Sequence, residues 1–372
     1  VSNGYIPKIL CDIVKSQKES VLFITSDDKQ AKNIISNIAF FDKTIEVINI
    51  PAWDCLPFDR CSPNPEIMAM RCSGLSNILY EDKARIIVTT TNSIVQKVPP
   101  KHIFKNRVKK IQVGANISLQ ELTMFLNDNS YLRTETVRQQ GNYAVRGGIV
   151  DIFPPNYKQP FRMDFWGDEI ESIREFDSLS QKSLIKKDKF YLCPVNEIIL
   201  NSDTINNFKQ NYRKSFGARS TNDFLYDSIS QGIPFQGYEH WLSFYYNKLE
   251  TIFDYLKKDT ILIFGEETQS AFNSRLEEIS DYYLNRKTIY EQSKGDNNAL
   301  YRPVDADKTY LNKSDWDKNF NNRTAIKICQ NPLPDNLEHI DIGIKKTSNF
   351  TIQRVKNESC LLYTSDAADD TD

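Results

Sequence analysis

The stretch "GNYAVRGGIVDIFPPNYKQPFRMDFWGDEIESIREFD" (141–177) decides how this chain is read. Glycine punctuations and a double proline separate short runs rich in Val, Ile, Phe and Trp, the pattern of strands joined by turns. Within it, "FRMDFW", Gly167–Asp168 and "EIESIREF" read as a hairpin with glycine at the first central position of a two-residue turn. Side chains alternate between the faces of a strand, so Met163 and Phe165 share one face and Arg162, Asp164 and Trp166 the other. Across the turn Trp166 falls opposite Glu169, and Phe165 opposite Ile170. One face is core. The other shows Arg162, Asp164, Trp166, Glu169 and Glu171 to solvent, with Arg146 arriving from the neighbouring strand. Such a face reads as a solvated sheet with cross-strand ion pairs, each worth about 0–1 kcal/mol. It reads equally as a docking surface, because tryptophan among arginines is the composition enriched at interface hot spots.

The β signal extends outward from this passage, from Tyr131 to Leu192, through "YLRTETV", "GGIVDIFP", "FRMDFW", "EIESIREF" and "KFYLCP". Before it, "VKKIQVGANI" is a strand into a turn, and "SLQE" (118–121) is a capping box that opens a short helix. The basic run "IKKDK" (185–189) reads as a solvated loop. On the amino-terminal side, "YIPKILCDIVKSQ" is an amphipathic helix, and "SVLFIT", "IEVINIP" and "ARIIVTTT" are strands separated by helical segments. Asn92 is the expected N-cap of the helix in "NSIVQKV". After Pro194 helices return in "TINNFKQNYRKSF", the aromatic-rich "QGYEHWLSFYYNKLETIFDYL" and "TQSAFNSRLEEISDYYLNRK", with one strand, "TILIFG". Strand–helix–strand alternation predicts a parallel sheet covered by helices, an α/β fold with a small α+β unit between its two parts.

Composition narrows the function. The chain has 372 residues, 40% hydrophobic and 26% charged, with a formal net charge of −2. A nucleic-acid site would therefore need a local basic patch. Seven cysteines without a CxxC pair, and only three histidines, point to reduced cytoplasmic thiols rather than to disulfides or zinc. No apolar run approaches the roughly 20 residues of a membrane span. No GxxxxGK[ST] follows the first strand, so the backbone cradle and lysine of a phosphate loop are missing. Asp27 and Asp28 read as acids complementing a helix N-terminus. Neither catalytic, cofactor-binding nor metal-ligating residues can be nominated.

Two passages carry a resemblance. "NIPAWDCLPFDRCSPNPEIMAMRCSGLSNIL" (49–79) is similar to the W-x-x-L-P-[YF]-D…SP…R…L element of the bacterial transcription-repair coupling factors (Mfd). "GNYAVRGGIVDIFPP" with "PFRMDFWGDEIESIREFDSLSQKS" resembles the UvrA-binding domain that this family shares with the excision-repair protein UvrB. The resemblance implies a degenerate helicase-like (RecA-like) α/β domain beginning at 1–107 and an inserted UvrA-binding domain at 108–194. A second α/β part follows at 195–345, and 346–372 is the start of a next domain or linker with a non-native tail. It implies an amino-terminal fragment that binds UvrA through Arg146, Arg162 and Trp166, with Glu169 and Arg174 as weaker carry-overs; the family usually has Phe where Trp166 stands. In the parent family ATP and Mg²⁺ drive translocation on double-stranded DNA, and RNA polymerase is a partner. Here the implied role is that of a cytoplasmic adaptor, not an enzyme. The alternative is a fragment of UvrB or of another ATP-dependent helicase.

Overall fold

A computed structural model describes residues 3–80, 83–155, 157–217, 223–292 and 301–329. Pro7–Ile328 forms one compact unit. The expected linker and tail at 346–372 lie outside the described residues. In chain order the strands are β1 (Val21–Thr25), β2 (Val47–Ile50), β3 (Ile86–Thr90), β4 (Lys109–Gln112), β5 (Leu132–Arg133), β6 (Asn142–Arg146) and β7 (Ile149–Ile152). They continue with β8 (Phe161–Trp166), β9 (Glu169–Phe176), β10 (Ser183–Lys186), β11 (Lys189–Leu192), β12 (Ile261–Gly265) and β13 (Ala325–Ile328).

Five strands form a parallel sheet in the order β13-β12-β1-β3-β2. Every residue of β1 and β3 is buried, their apolar runs and the threonines that end them, as befits strands covered on both faces. The result is a mixed α/β fold consistent with the expected RecA-like class. Strand β12, from beyond the β-rich passage, pairs directly with β1, Val21 facing Ile261. Helix Pro65–Tyr80 packs so closely on β2 that a Cβ on Gly74 would stand 3.0 Å from Ile50 Cγ1 and 3.1 Å from the Asn49 carbonyl oxygen. Glycine there permits the close approach.

The β-rich passage forms its own six-stranded sheet in the order β10-β9-β8-β7-β6-β5. It is antiparallel except for the β5–β6 pair. Strands β4 and β11 pair antiparallel beside it, Lys109 facing Leu192, so the passage leaves and returns at one neck. Its inner face buries Tyr143, Val150, Ile152, Phe161, Met163 and Ile173 with Leu122 and Leu126 from helix Leu119–Asp128. Phe161 stacks on Phe190 at 4.3 Å between ring centroids.

Local chemistry corrects several expectations. The helix at Thr91–Ile94 is capped by Thr90, not Asn92: the Thr90 hydroxyl accepts from the Ser93 amide. Ser118 caps its helix through the Glu121 amide, but the Glu121 carboxylate bonds Lys109 at 2.6 Å rather than reaching back. The aromatic segment is not one helix. It breaks into Tyr238–Trp241, Leu242–Tyr245 and Ile252–Tyr255, because Glu250 pairs its backbone with Val98 and Thr251 then opens a new capping box with Asp254. Within "IKKDK", Ile185 and Lys186 belong to the exposed edge strand β10. Asp27 does cap helix Asp28–Phe41, accepting from Gln30 N at 2.8 Å. Among the described residues no helix is long and apolar enough to cross a membrane.

Candidate docking face

The hairpin β8–β9 has the expected register at its tip, Trp166 facing Glu169 and Phe165 facing Ile170. Gly167 takes φ +61°, the left-handed region that the first position of such a turn demands. Four residues further the alternation slips. Asp164 faces Ser172 while Phe165 faces Ile170, so Glu171 is an extra residue on β9. This bulge explains why Ile170 and Ile173, three apart, both enter the core.

On the outer face the register aligns two rows. One runs Arg146, Ile149, Asp164, Ser172; the other runs Ala144, Asp151, Arg162, Arg174. Arg146 therefore shares the face of Arg162 and Trp166, as the sequence implied, but β7 stands between β6 and β8. It is not on the neighbouring strand. Trp166 is 80% exposed, and Ile149 39%. Arg146 is exposed and donates only to the main-chain oxygen of Glu135; it has no carboxylate partner among the described residues.

Arg162 departs from the expected free, exposed arginine. Its Nε and Nη2 donate to the two oxygens of Asp151 at 2.7 and 2.8 Å, and its Nη1 to the Gln181 carbonyl at 3.3 Å. The guanidinium lies 4.6 Å from the centre of the Phe176 ring, and its side chain is only 17% exposed. Its hydrogen bonds to the Asp151 carboxylate hold Arg162 above its ordinary value. The physical reason is Asp151: a carboxylate in the middle of "IVDIF", 2% exposed, must be paired where it is buried. Arg174 bonds Asp164, which also accepts from the Ser172 hydroxyl at 2.5 Å. Arg162 and Arg174 face each other across the strands, so each cation needs its own acid. Part of the outer face is itself packed: Phe176 and Ala144 join Phe153 and Val137 in a small second core.

Sequence reasoning brought Arg146, Arg162, Trp166, Glu169 and Arg174 to one sheet, and all five lie on strands of it. It missed Asp151 and Phe176, whose side chains fix Arg162. An acid between Val150 and Ile152 was the available signal.

The other quoted element, 49–79, serves the fold. The Trp53 Nε1 donates to Glu197 at 2.9 Å, and Arg71 pairs with the same carboxylate at 3.1 Å with both partners fully buried. Trp53, Pro57 and Phe58 are buried, and Leu56 is half exposed. Among the described residues no group of three His, Cys, Asp or Glu is placed to hold a metal.

Residues 110–198 match the UvrB interaction domain family. The transcription-repair-coupling factor of Rickettsia bellii is 31% identical over 298 residues, 80% of this chain and 26% of that protein. Its counterpart in Escherichia coli is 27% identical over 346 residues, 93% of this chain and 29% of that protein. That of Bacillus subtilis is 25% identical over 268 residues, 68% and 23% of the two chains. These matches support an N-terminal module of a transcription-repair-coupling factor. The chain spans about a quarter of the length of the curated relatives it matches. The matched UvrB interaction domain includes β5 to β10 and thus the whole outer face just described.

Proposed function

We propose that this chain is an adaptor that captures UvrA on the outer face of its UvrB interaction domain, delivering excision repair to stalled RNA polymerase. The observation that carries the proposal is the exposed Trp166 at the hairpin tip, on the same face as Arg146, which has no carboxylate partner among the described residues. An exposed aromatic sharing a face with an arginine is the composition of an interface hot spot, and arginine's planar fork suits carboxylates on a partner. Glu169 sits across from Trp166 and Arg174 two rows inward on the same face; they complete the rim. A UvrB fragment is the less favoured reading, since the relatives above are transcription-repair-coupling factors.

Movement on double-stranded DNA driven by ATP and Mg²⁺, and contact with RNA polymerase, belong in this reading to the rest of a longer cytoplasmic protein. The missing GxxxxGK[ST] supports a module that neither binds nor hydrolyses ATP. Calorimetry should detect no Mg²⁺-dependent ATP binding; a saturable micromolar isotherm would overturn that part. The docking test is capture of purified UvrA by the chain and by Arg146→Glu. The reversed charge should weaken capture at least ten-fold, about 1.4 kcal/mol, with an unchanged melting temperature. Equal capture by both would place the docking face elsewhere.

A further inference from the structure

Every nitrogen of the Arg162 side chain is engaged, two by Asp151 on β7 and one by the carbonyl of Gln181 between β9 and β10, yet an arginine has five N–H donors and only three are used. Both side-chain bonds of Asp151 go to Arg162. Asp151 lies 2% exposed on β7, between Ala144 and Arg162 in its row, so its carboxylate has no solvent role. Beneath the guanidinium, Phe176 is fully buried and supplies a flat apolar support. Fork and ring together fix the plane of Arg162. Arg146, two strands away, has neither.

We infer that Asp151 is a positioning residue of the docking face: it holds Arg162 over the Phe176 ring so that the two unused donors are preset for an acidic group on the partner. This rests on the docking reading above. A preset arginine loses less conformational freedom on binding than a free one, so the pair contributes affinity without Asp151 touching the partner. A buried ion pair adds little net stability compared with an apolar packing, which leaves positioning as the reason for an acid at this place.

The experiment is a double-mutant cycle in UvrA binding, using immobilised UvrA at a temperature where near-ultraviolet circular dichroism shows every variant folded. Asp151→Asn and Arg162→Ala should each weaken binding by about ten-fold, and the double variant by no more than either alone, because Asp151 acts only through Arg162. Arg162→Lys keeps the charge and bulk but cannot fork; it should lose binding as Arg162→Ala does. Losses that add in the double variant, full binding by Asp151→Asn, or rescue by Arg162→Lys would each overturn the inference. Arg146→Ala separates the two ideas. If it binds weakly while the Asp151 and Arg162 variants bind normally, only the positioning role fails. If it and the other variants all bind normally, the docking reading fails as well.

Discussion

Arg162 and Arg146 look alike in sequence and should behave oppositely on truncation. Arg162→Ala leaves the Asp151 carboxylate buried without its partner, which costs roughly 3 kcal/mol of folding stability. Arg146→Ala removes an exposed side chain and should stay within about 0.5 kcal/mol. Urea midpoints at constant slope measure both. Comparable losses would mean that the Asp151–Arg162 pair is no more buried energetically than a surface bridge. A second residue-scale case is Glu239, buried beside Ser62, whose hydroxyl donates to it at 2.8 Å. Burial pushes its carboxyl up from 4.5 to about 7. The folded chain then holds this proton where the unfolded chain has lost it, so stability is full below pH 4.5 and falls as pH rises towards 7, by on the order of 3 kcal/mol. Its neighbour His240 works the other way: burial lowers it from 6.5 to about 4, so its contribution is lost as pH falls through that window. Melting curves of the chain and of Glu239→Gln from pH 5 to 8 separate them. The variant should gain on the parent steadily up to pH 7, then hold a constant lead.

At the scale of elements, two irregularities do the positioning. The bulge at Glu171 resets the phase of β9, so that Ile173 stays in the core while Arg174 reaches Asp164. Gly237 opens the turn Tyr238–Trp241 at φ +78°, and its place allows nothing larger. A Cβ there would lie 2.6 Å from the Arg60 carbonyl oxygen and 2.8 Å from its carbon, both backbone atoms. Gly237 N also donates to the Ser62 hydroxyl at 2.8 Å, fastening the 53–62 loop to the later part of the chain. Gly237→Ala combines a left-handed backbone with that overlap and should cost at least 1–3 kcal/mol, roughly the range for a strained position. Thermal melting measures it. A neutral result would mean the loop can shift away from residue 237.

Across the whole molecule, one buried charge centre ties residues far apart in sequence. Glu197 accepts from Trp53 at 2.9 Å and from Arg71 Nε at 3.1 Å, while Arg71 Nη1 also reaches the Pro51 carbonyl and the Ser93 hydroxyl. Tyr246 bonds the Glu197 main-chain oxygen at 2.7 Å. Glu197→Ala would strand the Arg71 cation with no exposure at all, a loss of about 3–5 kcal/mol. Denaturant unfolding should show that loss, and limited proteolysis should open the 53–62 loop first. If the loss is below about 1 kcal/mol, water is replacing the carboxylate and the centre is not a tie.

What the sequence by itself determined is local and periodic. The buried runs of β1 and β3, the acids at the start of helix Asp28–Phe41, the hairpin turn at Gly167 and the pairing of Trp166 with Glu169 all follow from residue spacing and turn chemistry, which act over a few neighbours. The shared face of Arg146, Arg162 and Trp166 was legible for the same reason. Only the tertiary structure decided which arginine is free. That depends on Asp151 arriving from β7 and Phe176 from the far end of β9, and strand alternation gives a residue's face but not its partner on a strand that no tight turn joins to it. The same holds for Trp53 and Arg71. Their role is set by Glu197, more than a hundred residues on, because burial of a charge is a property of the assembled core and not of the segment that bears it.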